Sequence, residues 1–291
     1  MKCFYHRDMD GKCAAAIVFH SQVWMYQDGV TALTPEMIDI DYKDTIDLSK
    51  ILPNEEIYIV AFSFKPEGME ELLKITQQIV WIDHHKTAME YRYSQELKGI
   101  RDNNFSGCEL TWKYIHPEIP IPKIVKMLGR YDVWDFTEYG EELNKLQAGI
   151  RLFDHNPENL NWTEWFKDYC DLKQELEGGY FALRYRNNQY ASLIKAWSFW
   201  TTFEGHKSIC CNAGSVSSQL FDSIKEDYDL MIPFVFDGKQ WTVSLYTKKD
   251  IDCSEIAKKY GGGGHKQAAG FQCKELPFKK KTKCILKNAG R

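Results

Sequence analysis

The sequence contains no run of about 18 consecutive apolar residues, the length that a membrane-spanning helix requires. Its nine cysteines include no C-x-x-C pair, so neither a disulfide framework nor a zinc knuckle is indicated. Positive charge is not in excess, since 41 acidic residues outnumber 37 lysines and arginines. The net charge of -4 argues against binding of long nucleic acid through bulk positive charge, but it allows a small anionic ligand in a local site.

The N-terminus lacks an apolar signal-peptide stretch, because His6 and Asp8 interrupt the first ten residues. An odd number of cysteines fits a reducing compartment. We therefore expect a soluble, cytoplasmic protein that does not contact a membrane. With 291 residues, 44% of them hydrophobic, the chain is long enough for two unequal domains.

In the first half, short apolar runs alternate with amphipathic stretches, which predicts strand and helix units around a mostly parallel sheet. Strands are predicted at 2–5, 57–62 and 79–82, and a helix is predicted to open at Pro66. Polar residues follow each of these strands. Because ligands of open parallel sheets bind beyond the carboxyl ends of the strands, we expect a site at that edge.

The second half begins with residues 161–196, whose aromatic and leucine residues recur every three or four positions, as in a helix. We predict a helical connector there, interrupted at Gly178 and Gly179. Strands are predicted at 208–212, 230–236 and 241–246, the last two joined by an Asp-Gly turn. The predicted fold is α/β: an N-terminal parallel-sheet catalytic domain (1–160), the helical connector (161–196) and a smaller C-terminal mixed α/β substrate-binding domain (197–291).

The first candidate motif is His6-Arg7-Asp8-Met9-Asp10, directly after the first strand. In an extended segment the alternating residues His6, Asp8 and Asp10 would project to one side, where an imidazole and two carboxylates would attract cations. The alternative is a solvated loop with an aspartate that caps a helix starting near Lys12.

The second motif is Asp83-His84-His85, which follows the predicted strand at 79–82. This combination offers one nitrogen ligand for a metal, a second imidazole that can face an anionic substrate, and a carboxylate that orients them. A single histidine would usually be structural, but two adjacent ones at the end of a strand favour a site.

Asp132 is a third candidate, because it follows the amphipathic stretch 121–129 and could add another carboxylate. Together with the first two motifs, it completes a set of oxygen and nitrogen ligands. Such a set suits manganese or magnesium better than a metal that prefers thiolates.

The fourth motif is Gly261-Gly262-Gly263-Gly264-His265-Lys266 in the second half. Consecutive glycines allow backbone amides to approach a phosphate, and the residues that follow could begin a helix whose N-terminus favours an anion. We therefore predict a phosphate-binding loop at Gly262, Gly263, Gly264 and His265, although a flexible linker is the alternative.

These four motifs together resemble those of the Asp-His-His (DHH) phosphoesterase family, which includes RecJ-type exonucleases, nanoRNases, cyclic-dinucleotide phosphodiesterases and family II pyrophosphatases. The C-terminal part is similar to the DHH-associated substrate-binding domain. The resemblance implies two Mn²⁺ ions, with Mg²⁺ as the alternative. The implied ligands are His6 and Asp8 for one ion, and Asp10, His84 and Asp132 for the other. His85, with Asp83 beside it, would then face the scissile phosphate.

The family pattern also includes a bridging aspartate after the strand that precedes Pro66, and this chain has Ala61 there. Two ions about 4 Å apart repel strongly without a shared anion. We therefore expect this chain to bind the first metal weakly and to turn over slowly. Ala61 has either an engineered or a natural origin.

The resemblance implies two-metal hydrolysis of phosphodiester bonds in short oligonucleotides, as in a nanoRNase or exonuclease. Opening of cyclic di- or oligonucleotides is the alternative reaction. A non-catalytic nucleotide sensor or binding protein is the alternative of another class. The expected ligand is thus a short oligonucleotide or a cyclic nucleotide and not a long duplex.

Overall fold

The computed structural model describes residues 1–27, 34–42, 44–86 and 88–279. It contains two compact units, Met1–Leu183 and Arg184–Arg291. The three-part division at residues 160 and 196 stays a prediction. No helix in the described part of the chain is both long and apolar enough to cross a membrane.

The first unit is built on a four-stranded parallel sheet with the order β2-β1-β3-β4. Its strands are β1 (Lys2–His6), β2 (Glu36–Ile40), β3 (Ile57–Val60) and β4 (Ile79–Ile82). All residues of β3 and β4 are buried, as expected of parallel strands that helices cover on both faces.

The helices of the first unit are α1 (Met9–Gln27), α2 (Pro66–Leu73), α3 (Gly107–Ile115), α4 (Lys123–Asp132), α5 (Glu142–Gly149) and α6 (Asn161–Trp165). One face of the sheet packs against α1, α3 and α4 through a cluster that includes Ile17, Val60 and Leu128. The other face packs against α2, whose Met69 and Leu72 join Phe4 and Ile59. Pro66 is at the N-terminus of α2, as predicted.

The helical stretch is divided differently from the prediction. The long helix α7 (Lys173–Trp197) continues through Gly178 and Gly179, and the break lies between α6 and α7, where Leu172 has a positive φ of 58°. A side chain on Gly179 would overlap the backbone carbonyl oxygen of Lys145 in α5. Glycine thus serves here to let two helices pack closely, and it does not end the helix.

In its described residues, the second unit contains the second half of α7, a six-stranded mixed sheet with the order β5-β6-β7-β8-β10-β9 and one short helix. Its elements are β5 (Ser198–Phe203), β6 (His206–Asn212), β7 (Leu230–Phe236), β8 (Trp241–Tyr246), α8 (Cys253–Lys258), β9 (Gly263–His265) and β10 (Ala268–Cys273). β6 pairs with β7 in parallel, and the other neighbours are antiparallel. The predicted fold class is confirmed: a parallel sheet, helices and then a mixed sheet.

The glycine-rich motif differs from its prediction, because no helix follows it. Residues 263–265 form β9, which pairs with β10 as a hairpin. A side chain on Gly262 would overlap the carbonyl oxygen of Gly270, and Gly264 has a φ of 140°. The glycines therefore serve the close approach of two backbone segments.

Candidate metal centre

The candidate site lies where three neighbouring strands end. His6 is the last residue of β1, Ala61 directly follows β3, and Asp83 directly follows β4. Because these strands are parallel and adjacent, their carboxyl ends share one edge of the sheet. The structure therefore brings these candidate residues together at the carboxyl edge of the sheet, where the sequence predicted a site.

The first motif reaches this edge by a different geometry from the predicted one. His6 ends a strand, but α1 already begins at Met9, so Asp10 belongs to the first helical turn and not to an extended segment. The backbone N–H of Gly11 donates to the Asp8 carboxylate at 2.8 Å. Asp8 thus has the local capping role that the alternative interpretation assigned to an aspartate here.

Three side chains form a compact set of ligand atoms: Asp10, His84 and Asp132. Nε2 of His84 lies 3.8 Å from Oδ2 of Asp10 and 3.5 Å from Oδ2 of Asp132. The ligand atoms of all three lie within 4.8 Å of one another. Residues that are far apart in the sequence therefore present two carboxylates and one imidazole to a single point.

The N-terminus of α3 holds the Asp10 carboxylate in place. The backbone N–H groups of Gly107 and Cys108 donate to its two oxygens at 3.0 and 2.9 Å. Asp10 is fully buried, and burial raises its pKa. Gly107 has no side chain to block this approach, since a Cβ there would lie 2.6 Å from Oδ2 of Asp10.

Asp132, the last residue of α4, is a second carboxyl group of the set with a raised pKa. Burial, followed by the nearby carboxylates of Asp10 and Asp8, raises its pKa to about 8. Such crowding of carboxylates is relieved by a bound cation. The hard oxygen donors and the single imidazole fit a divalent ion such as Mn²⁺ or Mg²⁺.

Asp83 orients His85, and Asp83, His84 and His85 form a second group of potential ligands that shares His84 with the first. Oδ1 of Asp83 accepts from Nδ1 of His85 at 2.8 Å and from the backbone N–H of His84 at 2.8 Å, while its Oδ2 accepts from the Ser63 hydroxyl. Burial acts to raise the pKa of Asp83, but these hydrogen bonds outweigh it and the pKa is lowered. The hydrogen bond to Asp83 also raises the pKa of His85 and leaves Nε2 for a substrate.

His6 and Asp8 lie beside this set but engage each other. Nδ1 of His6 is 2.6 Å from Oδ2 of Asp8, and this hydrogen bond raises the pKa of His6. Among the described residues, no group of three or more potential ligands includes His6 and Asp8. Ala61, which could have supplied a third ligand only as an acid, is buried and supplies a methyl group.

Ala61 has an unusual backbone for its residue type. Its φ is 51°, in the left-handed region, where alanine is uncommon and Asp, Asn and Gly are favoured. This conformation also ends β3 at Val60, two residues earlier than predicted. The position thus has a backbone geometry that an aspartate would tolerate better than the alanine does.

An ion pair that the motifs did not reveal fixes the helix that carries Asp132. Arg130 donates from one guanidinium nitrogen to both carboxylate oxygens of Glu109 at 2.8 and 2.6 Å, which ties α4 to α3. Glu109 also closes a capping box with Ser106 at the start of α3. The spacing Ser106-x-x-Glu109 is the sequence signal that could have identified this helix start.

In the second unit, the residues of the predicted phosphate loop are largely exposed. Gly263, Gly264 and His265 are exposed, and Gly262 is half-buried. Lys266 next to them pairs with Asp250 at 2.5 Å. The structure leaves the backbone of this hairpin accessible, while the predicted anion-binding helix N-terminus is not there.

Comparison with known proteins gives independent evidence. A family profile described as the DHHA1 domain matches residues 212–289. An uncharacterised protein of Acanthamoeba polyphaga mimivirus is 26% identical over 252 residues, which cover 80% of this chain and only 58% of that protein. Oligoribonuclease NrnB of Bacillus subtilis is 23% identical over 300 residues, which cover 92% of this chain and 71% of the relative.

Two solved structures share the fold along almost the whole chain. The pGpG-specific phosphodiesterase PggH of Vibrio cholerae superposes with a TM-score of 0.51 at 13% identity, covering 94% of both chains. Exonuclease RecJ bound to manganese has a TM-score of 0.51 at 15% identity, covering 94% of this chain and 85% of RecJ. The chain is thus similar to proteins of the DHH phosphoesterase family: residues 212–289 match the DHHA1 domain, and NrnB, PggH and RecJ resemble the chain over most of its length.

By name, these similar proteins are an oligoribonuclease, a phosphodiesterase and an exonuclease, and the RecJ structure is bound to manganese. Among the described residues of this chain, two overlapping groups of three potential ligands are assembled: Asp10, His84 and Asp132, and Asp83, His84 and His85. Ala61 occupies the position where the sequence resemblance predicts an aspartate.

Proposed function

We propose that the parent form of this protein hydrolyses phosphodiester bonds in short oligonucleotides with the help of divalent metal ions, and that Ala61 impairs the present chain. The single observation that carries this proposal is the convergence of Asp10, His84 and Asp132 beside a histidine that is oriented for a substrate. An arrangement with separate metal and substrate groups suits hydrolysis of a charged phosphodiester.

In this proposal, Asp10, His84 and Asp132 hold one Mn²⁺ or Mg²⁺ ion. When bound, the ion supplies a Lewis acid that polarises phosphoryl oxygens and lowers the pKa of water. The protein contributes a ligand geometry that is fixed before binding, since the N-terminus of α3 holds Asp10 and the ion pair between Glu109 and Arg130 holds α4. Fixed ligands reduce the reorganisation that binding would require.

His85 is proposed to contact the scissile phosphate. Asp83 fixes the ring through Nδ1 and favours its protonated form, so Nε2 can donate a hydrogen bond to a phosphoryl oxygen. A charged donor at this position would stabilise the negative charge that grows on the oxygens during the reaction. Ser63 supports the arrangement by donating to the other oxygen of Asp83.

The residues assigned to the second ion do not fit it in this chain. His6 and Asp8 offer two groups that pair with each other, and Ala61 offers none. We therefore route no step through a second ion here. An aspartate at position 61 would add the missing carboxylate between the two sets.

Short nucleic acids are the proposed substrates. The names of the relatives point this way, since NrnB is an oligoribonuclease and PggH acts on pGpG. The net charge of -4 also disfavours long polymers, which are bound through extended positive surfaces. The accessible backbone at Gly262, Gly263 and Gly264, together with His265, is proposed to bind a phosphate or the terminal nucleotide.

The test is hydrolysis by the Ala61→Asp protein in Mn²⁺, with linear dinucleotides, cyclic dinucleotides and longer RNA offered together and the products separated by chromatography. We expect mononucleotides from the linear dinucleotides and slower loss of longer RNA. Ala61→Asn is the matched control, because it keeps the shape of the side chain without its charge. Absence of phosphodiester cleavage by Ala61→Asp with any of these substrates contradicts the proposal.

A second candidate is a non-catalytic nucleotide-binding protein, which the buried Ala61 favours because its methyl group supplies no ligand to a second ion. In that case the unmodified chain binds one metal ion and a nucleotide tightly, and Ala61→Asp adds no turnover. Equilibrium binding and product analysis on the same two proteins separate the candidates.

A further inference from the structure

An aromatic cavity adjoins the candidate metal centre in the first unit. It has a volume of about 480 Å³, and Tyr42, Phe62 and Phe64 are among the residues that line it. Cavities of roughly 300–1,000 Å³ with mostly apolar walls are typical of sites for small organic ligands. We call this cavity the side pocket.

The side pocket shares its wall with the catalytic residues. The ring of Phe62 stacks on His6 with 6.4 Å between the ring centroids and an interplanar angle of 20°. The ring of Tyr42 lies 4.9 Å from Phe62, 5.7 Å from His6 and 6.0 Å from His85. A ligand in the pocket would therefore be adjacent to a phosphate at His85.

The charge of the pocket disfavours a phosphate inside it. Among the described residues that line it, one lysine is outnumbered by four acidic residues: Lys65 against Asp41, Asp44, Glu67 and Glu71. Arg7 pairs with Asp44 and Lys74 pairs with Glu71, so the like charge that acts against a second anion comes mainly from Asp41 and Glu67. A neutral, flat ring is compatible with both the acidic rim and the aromatic walls, and carboxylates can accept from its amino group.

Tyr42 supplies the exposed aromatic surface that such a ring needs. Its side chain is 49% exposed, although it packs against Phe62, so part of the ring remains available for stacking. By contrast, Phe62 is buried and forms the base of the wall.

We propose that the side pocket binds a nucleobase of the nucleotide whose phosphate lies at His85, and that Tyr42 stacks on this base. The proposal rests on the proposed function for the phosphate position. Tyr42 is thus a specificity residue and has no role in the chemical step. Base stacking on an aromatic side chain changes affinity by about 5- to 150-fold upon replacement with alanine.

The test measures binding, so it does not depend on turnover. A 5′-phosphorylated dinucleotide that carries 2-aminopurine is titrated with the unmodified chain in Mn²⁺, and quenching of the base fluorescence reports stacking. We expect Tyr42→Phe to keep the affinity and the quenching. Tyr42→Ala and Tyr42→Leu should both lose at least about fivefold in affinity, since leucine keeps apolar bulk but has no ring face.

Two controls make the result specific. A dinucleotide analogue that lacks the base should bind the unmodified chain and Tyr42→Ala equally. Tyr169→Ala removes a different exposed tyrosine and should leave the affinity unchanged. Thermal unfolding of each variant shows whether it is folded. If Tyr42→Ala does not fold, the binding comparison is made with Tyr42→Leu.

The outcomes separate this inference from the proposed function. Equal affinity of the unmodified chain and folded Tyr42→Leu overturns the inference. Trp134 is another exposed aromatic residue of the first unit, and loss of quenching in Trp134→Ala but not in Tyr42→Ala would overturn the inference as well. No nucleotide binding by the unmodified chain overturns it too. If binding depends on the Tyr42 ring but Ala61→Asp hydrolyses nothing, the pocket stands and the proposed hydrolysis fails.

Discussion

Binding of a divalent ion at the candidate centre should release close to one proton at neutral pH. In the metal-free protein, burial and neighbouring carboxylates raise the pKa of Asp132 to about 8. A group with that pKa holds about 0.9 of a proton at pH 7 and about a quarter of one at pH 8.5. Because the ion needs the ionised carboxylate, it must displace this proton, and the burial that raises the pKa of Asp10 acts in the same direction.

Isothermal titration calorimetry of Mn²⁺ binding in two buffers with different ionisation enthalpies measures the number of protons released. We expect at least about 0.9 at pH 7 from Asp132, and clearly fewer at pH 8.5. Asp132→Asn is the matched control, since its amide has nearly the same size and no proton to lose. Release near zero at pH 7, or unchanged release in Asp132→Asn, would refute the reasoning.

The same shift sets a pH dependence of stability. A carboxyl group whose pKa is higher in the folded than in the unfolded protein contributes fully to stability at a pH below its unfolded-state pKa. This contribution is lost as the pH rises through its folded-state pKa. The free energy of unfolding of the metal-free protein should therefore decline between about pH 4 and pH 8 because of Asp132. Added Mn²⁺ should reduce the decline, which denaturant unfolding at several pH values can measure.

Further substitutions test the helix packing of the first unit and the residues that support the centre. Gly179→Ala should cost about 1–3 kcal/mol in urea unfolding, because its methyl group would overlap a carbonyl oxygen of α5, whereas Gly178→Ala should be neutral or stabilising. Glu109→Gln should cost about 2–3 kcal/mol by removing the shorter ion pair of the partly buried Arg130, which keeps its pair with Asp135 at 3.4 Å, and equal stability of the variant would contradict this. Gly107→Ala should weaken Mn²⁺ binding at least tenfold, because its methyl group would displace the Asp10 carboxylate that accepts from the α3 N-terminus. Calorimetry can measure this loss of affinity.

Much of the first unit could be predicted from the sequence, because its elements have strong local signals. β1, β4 and the helix at Pro66 follow from apolar runs and a proline at a helix start. The edge strand β2 was missed, since only Ile40 of its five residues is buried and its apolar pattern is weak. The alternation of apolar and polar residues reflects how much of a strand is buried, so an edge strand with few buried residues gives only a weak pattern.

The site shows the same limit. That His6 and Asp83 would lie together followed from where strands end, but the path of the chain between His6 and Asp10 did not, and Asp132 at the end of a helix was placed there only by the family resemblance. A helix that starts at Met9 and an extended segment both place two carboxylates near the sheet edge, and composition alone does not separate them. The hairpin at 263–273 was missed because glycine permits strand, turn and helix start alike.

The left-handed backbone at Ala61 has an evolutionary consequence. The main chain at position 61 has a conformation that an aspartate adopts more readily than alanine does. Two of the four alanine codons become an aspartate codon by a single nucleotide change. From either of these codons, one point mutation would place an acid on a backbone that already suits it, without any rearrangement of the main chain.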